Sequence, residues 1–188
     1  MEVLKAIADR CSIREYKAEQ ITDDELQAII EAARMAPSGM NARKTRLFVI
    51  QSPEVLEKTA RAIAAATKAG HAEGVSAERA AAIDVDSYNF FYHAPTLLIV
   101  TSPADAYNAF ADCGCVLENA MIQAAELGIG TCWVNNVRRC QKDAAVRKLL
   151  TELGVAEDEI VTGSLAIGYP VHELKGKNQE KGHEVKYI

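Results

Sequence analysis

The sequence predicts an α+β fold, and three observations carry that reading. Amphipathic helical stretches outnumber strand candidates. The strand candidates are short apolar runs that follow no strict strand–helix–strand rhythm, which argues against a regular doubly wound sheet. No internal repeat, low-complexity segment or linker divides the 188 residues, so 1–188 reads as a single domain of a size that buries a real core.

Taken in order, residues 2–9 form a short amphipathic helix with Val3, Leu4 and Ile7 on one side. Thr22, Asp23, Asp24 and Glu25 make a capping box that opens the next helix. Leu26, Ile29, Ile30 and Ala33 follow at helical spacing, and Pro37 forces an end shortly before it. Residues 46–50 are a strand, rich in apolar and β-favouring side chains. Ser52 and Pro53 start another helix, since proline is favoured at the first helical position. Residues 66–86 are rich in alanine, charge and glycine, with little apolar periodicity, and read as a loop with a weak helix, a candidate mobile lid. A buried strand returns at 94–102. A long helix spans about 106–127, with Val116, Leu117, Ala120, Met121, Ala124 and Leu127 on a broad apolar face and Gly128 as its C-cap. Residues 131–134 are a short strand, 139–152 a helix, and 162–170 the last core strand. The tail, 171–188, is polar and basic and ends in a candidate edge strand at 184–188.

Composition narrows the function classes. Apolar residues make up 49% and charged residues 25%, an ordinary globular balance. Lys+Arg number 21 against 26 Asp+Glu, a formal charge of −5, with no long basic run, so a nucleic-acid backbone is not an expected partner. The first residues lack a basic start and a long apolar stretch, and no apolar run approaches a bilayer-spanning length; neither a signal peptide nor a membrane is expected. Five cysteines at irregular spacing (Cys11, Cys113, Cys115, Cys132 and Cys140) fit reduced thiols in a cytoplasmic protein better than a disulfide framework. The four histidines are scattered without metal-ligand spacing, so no metal site is expected.

Chemistry is carried by clusters. In the stretch Arg10-Cys11-Ser12-Ile13-Arg14-Glu15-Tyr16, an extended backbone puts Arg10, Ser12 and Arg14 on one side. Two guanidiniums and a hydroxyl suit a phosphate monoester, although seven residues alone also read as a solvated basic segment. Pro37, Ser38 and Gly39 form a turn that presents the Ser38 hydroxyl and the Asn41 amide, or simply ends a helix. Gly128 and Gly130, in Leu127-Gly128-Ile129-Gly130-Thr131, either let backbone approach a flat ligand or make a helix cap and tight turn. Lys175, Lys177, Lys181 and Lys186 are a solvated tail, one of which can complete an anion site. There is no nucleophile elbow, phosphate-binding loop or zinc-protease motif, so a bound cofactor is expected to supply the chemistry and no catalytic side chain is assigned.

The order of these motifs, together with Phe91-Tyr92-His93-Ala94-Pro95 and Ile167-Gly168-Tyr169-Pro170, resembles the short form of the nitroreductase family of FMN-dependent oxidoreductases over nearly the whole chain. The resemblance implies a sandwich around a central, mostly antiparallel sheet flanked by helices, and an intertwined homodimer with FMN at the subunit interface. It implies that Arg10, Ser12 and Arg14 hold the FMN phosphate and flavin edge, with Cys11 beside them. Pro37, Ser38, Gly39 and Asn41 would reach the flavin from the partner subunit. Gly128, Ile129, Gly130 and Thr131 would lie near the cofactor, Asn89 near the pyrimidine edge, and Lys181 at the phosphate. The implied activity is ping-pong: hydride passes from NAD(P)H through flavin N5 to a small acceptor such as a nitroaromatic or quinone. Storage or delivery of FMN with little turnover is the alternative. One departure stands out: Arg43-Lys44-Thr45 occupies the place where many relatives read Gln-Pro-Trp, and the added charge is expected to favour anionic acceptors or the phosphates of NAD(P)H.

Overall fold

The computed structural model describes residues 3–174 and 183–188. Four strands, β1 (Arg46–Ile50), β2 (Thr96–Pro103), β3 (Gly130–Val134) and β4 (Glu159–Gly168), form one sheet in the order β1-β2-β4-β3, every neighbouring pair antiparallel. Around it, among the described residues, run α1 (Val3–Asp9), α2 (Asp23–Arg34), α3 (Pro53–Lys68), α4 (Ala77–Ala81), α5 (Ala109–Glu126), α6 (Asn136–Cys140) and α7 (Ala144–Glu152). The expected α+β class with an antiparallel sheet flanked by helices is what forms.

Both faces of the sheet are covered, which is why β2 reads as an unbroken apolar run. Leu97 and Ile99 join one core with Ile63, Val134, Val137, Leu150 and Ala166. Leu98 and Val100 point the other way, to Ile29, Ala33, Leu117, Ala120 and Ile167. Residues of α3, α6 and α7 thus pack on one face, and residues of α2 and α5 on the other.

Local signals account for most element boundaries. The Thr22 hydroxyl accepts from Glu25 N–H, while the Glu25 carboxylate accepts from Thr22 N–H at 2.8 Å, so the capping box forms as read. Pro53 sits in the first turn of α3. Gly128 has φ +76° just past α5, the left-handed geometry that a helix C-terminus favours.

Several expectations are corrected. Residues 139–152 are not one helix: the chain breaks after Cys140, and the Asp143 carboxylate caps a second helix by accepting from Ala145 and Val146 N–H. The last strand begins at Glu159, earlier than expected, because Arg46 and Thr101 satisfy that buried carboxylate. The long helix starts at Ala109, later than residue 106. Residues 184–188 form no strand. On α1 only Ala6 is buried, and Val3, Leu4 and Ile7 are exposed, so among the described residues nothing covers the apolar side of this helix. The 66–86 region holds the end of α3 and all of α4, and it is tied down by His71–Asp143, Lys142–Glu73 and Glu73 N–H to Arg139 C=O.

Candidate functional site

Gly130 and Gly168 are paired across β3 and β4. Bare backbone at this end of the sheet lets a second segment lie against it. A Cβ on Gly130 would meet Ile13 at 3.0 Å, and one on Gly168 would meet Pro95 at 2.6 Å and Tyr16 at 3.1 Å. Into this trough runs the segment 10–17. Ser12 bridges Thr131 in parallel fashion, with Ile13 N–H donating to Thr131 C=O at 2.8 Å. Tyr16 bridges Pro170, Lys17 N–H donates to Tyr169 C=O at 2.9 Å, and the half-buried Tyr16 hydroxyl donates to Ile13 C=O at 2.8 Å. Burial pushes the Tyr16 phenol well above its ordinary pKa, so it stays a neutral donor.

The alternation read from the sequence is visible here. Ile13 faces the Gly130 backbone, while Ser12 and Arg14 both act on the Cys132 thiol. Burial raises that thiol's pKa, and Arg14 and Ser12 pull it back in part. Arg14 lies over the Tyr92 ring, 5.9 Å from its centroid, and Tyr92 holds the guanidinium more firmly protonated. Among the described residues no carboxylate comes within ion-pair distance of Arg14, and Arg10 approaches only Glu118, at 3.7 Å. Ser12, its hydroxyl exposed, and Arg14 thus lie against β3 at Thr131 and Cys132, with Cys11 half-buried before them, while Arg10, whose N–H still donates to Ala6 C=O at the end of α1, turns its guanidinium toward Glu118. A guanidinium and a hydroxyl placed in this way are donors suited to an anion such as a phosphate.

The other expected residues lie elsewhere. Pro37 and Ser38 line a cavity of about 430 Å³ formed by α2, the 37–45 loop and α5, whose lining includes none of Arg10, Ser12, Arg14, Gly130 or Thr131. The Ser38 hydroxyl accepts from Arg43 N–H at 2.9 Å, Gly39 N–H donates to the Asp112 carboxylate at 2.9 Å, and the Asn41 amide oxygen accepts from Arg43 Nε at 3.0 Å. Met40, Asn41 and Arg43 take φ of 52°, 54° and 48°, so the loop stores backbone strain at three non-glycine residues. Asn89 caps its own turn, accepting from Phe91 N–H at 2.8 Å, and lines a second cavity with Gln51 and His93. The same turn carries Tyr92 and His93 in the left-handed region and so delivers Tyr92 to Arg14. Gly128 lines a separate groove with Asp9, Lys17 and Tyr169. Ile129 is 1% exposed, its side chain spent on the core. Lys181 lies outside the described residues.

Two participants were not singled out from sequence: Tyr92 as the platform for Arg14, and Asp112 as the anchor of Gly39. Tyr92 sat in a quoted motif without a role, and a left-handed tyrosine has no sequence signal as a left-handed glycine does. Asp112 lies in the first turn of α5, where an acid is common for its effect on the helix dipole, so nothing local marks its role.

A sheet-end trough holding an arginine-rich segment, on an antiparallel sheet covered by helices, defines the class. The chain belongs to the nitroreductase family, whose model matches residues 7–169. Among solved structures it is similar to a nitroreductase with bound FMN from Bacteroides fragilis, at 35% identity and a TM-score of 0.88, covering 100% of both chains. It is also similar to a nitroreductase with bound FMN from Desulfitobacterium hafniense, at 28% identity and a TM-score of 0.84, over 100% of this chain and 99% of that one. Among curated proteins it is 30% identical to the Archaeoglobus fulgidus protein named "Putative NADH dehydrogenase/NAD(P)H nitroreductase", over 92% of this chain and 87% of the relative.

Proposed function

We propose that the protein is an FMN-dependent oxidoreductase that carries reducing equivalents from NAD(P)H to a small acceptor such as a nitroaromatic or quinone. The observation that carries the reading is the Ser12–Thr131 pairing, which sets Ser12 and Arg14 against β3, with no carboxylate within ion-pair distance of Arg14 among the described residues. The donor set fits the group: Arg10 and the Ser12 hydroxyl are proposed for the phosphate, Lys181 as a further cation for it, and Arg14 for the flavin edge. FMN, when bound, supplies the hydride chemistry that the side chains lack. Arg14, kept protonated over Tyr92, would present a positive charge to the edge of the bound flavin and favour its reduced form. Cys11, Gly128, Ile129, Gly130 and Thr131 contribute the adjoining wall, with Ile129 limited to its backbone, and Asn89 is the proposed amide for the pyrimidine edge.

Pro37, Ser38, Gly39 and Asn41 are proposed to complete the site from the partner of a homodimer. The exposed apolar residues Val3, Leu4 and Ile7 of α1, with Met35 and Met40 beside the 37–45 loop, supply surface for that association. Residues 1–188 are proposed to act as one domain in a reducing cytoplasm, consistent with five free cysteines.

The test is a visible absorption spectrum of natively purified protein, with FMN added, followed by NADH and NADPH oxidation with a nitroaromatic and a quinone. A flavin spectrum bleached by reduced nicotinamide, and sustained turnover, are expected. Protein that stays colourless after reconstitution would overturn the assignment, and flavin binding without turnover would make the protein a flavin carrier.

A further inference from the structure

We propose that the cavity between α2, the 37–45 loop and α5 is an anion subsite that selects aromatic acceptors carrying a carboxylate or sulfonate. The proposal rests on the redox function above and names the class of acceptor. Its floor is apolar, built from Ile30, Ala33, Leu47 and Val116, and its volume of about 430 Å³ is that of a small-molecule pocket. Two arginines from different elements border it: Arg34 at the end of α2, and Arg43 in the loop. The one carboxylate in the lining, Asp112, is already engaged by Gly39 N–H. Asp112 keeps its negative charge and Glu31 pairs with Arg34, so Arg43, whose Nε donates to the neutral Asn41 amide, is the cation in this lining left for an anion among the described residues.

Arg43 is held in place. Its φ of 48° is a conformation that a side-chain-bearing residue adopts at a cost, and two hydrogen bonds fix it: its N–H to Ser38 Oγ and its Nε to Asn41 Oδ1. Arg34 spends one amino group on Glu31, an exposed pair worth little, and keeps the other donors of its fork. Ser38 and Thr45 add hydroxyls to the lining beside the apolar side chains. An aromatic ring carrying an anionic group can use both kinds of lining. Ser38 also belongs to the flavin contacts proposed above, so a ring held here lies next to the reacting centre.

The experiment compares para-nitrobenzoate with its methyl ester, which keeps the ring and nitro group and removes the charge. Two readouts are taken on wild type, Arg43→Gln, Arg43→Lys and Arg34→Gln: equilibrium binding by calorimetry, and the ratio of kcat/KM for acid over ester. Wild type is expected to bind the acid more tightly than the ester. Arg43→Gln is expected to lower both the affinity preference and the kcat/KM ratio by about tenfold, the size of one charge-assisted hydrogen bond. Arg43→Lys should recover part of the loss, because a charge remains without the fork. Equal binding of acid and ester by wild type, or a preference unchanged in both glutamine variants, overturns the subsite. If the acid preference and its loss are seen in calorimetry without any turnover, the subsite stands and the redox function falls. A selective rise in KM for NADPH over NADH in Arg43→Gln, with the acid–ester ratio unchanged, would assign the arginines to the donor's phosphate and also overturn the proposal.

Discussion

Replacing Gly130 by alanine tests the trough directly. Gly130 is not in the left-handed region, so the backbone accepts the change and only space decides. The new Cβ would lie 3.0 Å from Cβ, Cγ1 and Cγ2 of Ile13 at once. Ordinary carbon–carbon contacts fall near 3.5–4.0 Å, so the two groups must separate by more than half an ångström in the worst case. The Ile13 Cβ cannot rotate away, because it is fixed to the backbone; the whole 10–14 segment has to lift from β3. That lengthens the 2.8 Å bond from Ile13 N–H to Thr131 C=O and tilts Ser12 and Arg14 with it. Overpacking at the mild end of its range, about 1 kcal/mol, corresponds to FMN binding roughly fivefold weaker if the strain is felt at Ser12 and Arg14. Fluorescence titration of apoprotein with FMN measures it, with Tm followed in parallel. Adding Ile13→Gly to Gly130→Ala removes all three clashing atoms and should recover most of the FMN affinity relative to Ile13→Gly alone. An unchanged Kd in Gly130→Ala, or a double variant no better than additive, would refute the argument that this glycine exists for the close approach of the N-terminal segment.

Other outcomes follow from the remaining geometry. Glu159→Ala leaves Ala156 N–H and Thr101 Oγ1 without their buried acceptor and frees Arg46, which should cost about 2 kcal/mol and lower Tm by about 6 °C in calorimetry, with Glu159→Gln less severe. Thr22→Ala removes the acceptor for Glu25 N–H and should cost about 1 kcal/mol in urea unfolding. Glu25, hydrogen-bonded by Tyr169 and Thr22, and Asp143, hydrogen-bonded by His71 and the α7 backbone, are both held below the ordinary carboxylate range. Each therefore adds stability that is present at neutral pH and lost on acidification through its folded pKa; Tm should fall below about pH 4, and less steeply in Glu25→Gln with Asp143→Asn. Burial raises the thiols of Cys113, Cys132 and Cys140, so mass spectrometry after brief iodoacetamide treatment should find these three unlabelled until denaturant is added.

What was legible in the sequence is local. Thr22 with Glu25, Pro53 after Ser52, and Gly128 after Leu127 each encode a boundary in a few adjacent side chains, and each boundary formed. The run at 94–102 announced a strand buried on both faces. Errors came where a distant partner decides. Glu159 enters β4 only because Arg46 and Thr101 reach it, which no hydropathy window contains. Asp143 starts a new helix inside an apolar periodicity that reads as continuous. Val3, Leu4 and Ile7 signal a helix correctly but not what covers them. At the site, the alternation of Ser12 and Arg14 with Ile13 was readable, whereas Arg10 closes α1 and reaches Glu118 instead. The left-handed turn that brings Tyr92 under Arg14 was not, because nothing in Phe91-Tyr92-His93 marks it.

The Ser12–Thr131 bridge also sets an order of events during folding. It joins the first tenth of the chain to a strand whose own partner, β4, is the last element formed in sequence. Closing such a loop returns little until β3 and β4 are already paired, since each earlier contact must first repay chain entropy. The Arg10–Arg14 segment is thus among the last parts to dock, and a nascent chain that has exposed only its first hundred residues carries the arginines but no seat for them. On the proposed function, the cofactor's seat would be completed only after the chain is synthesised.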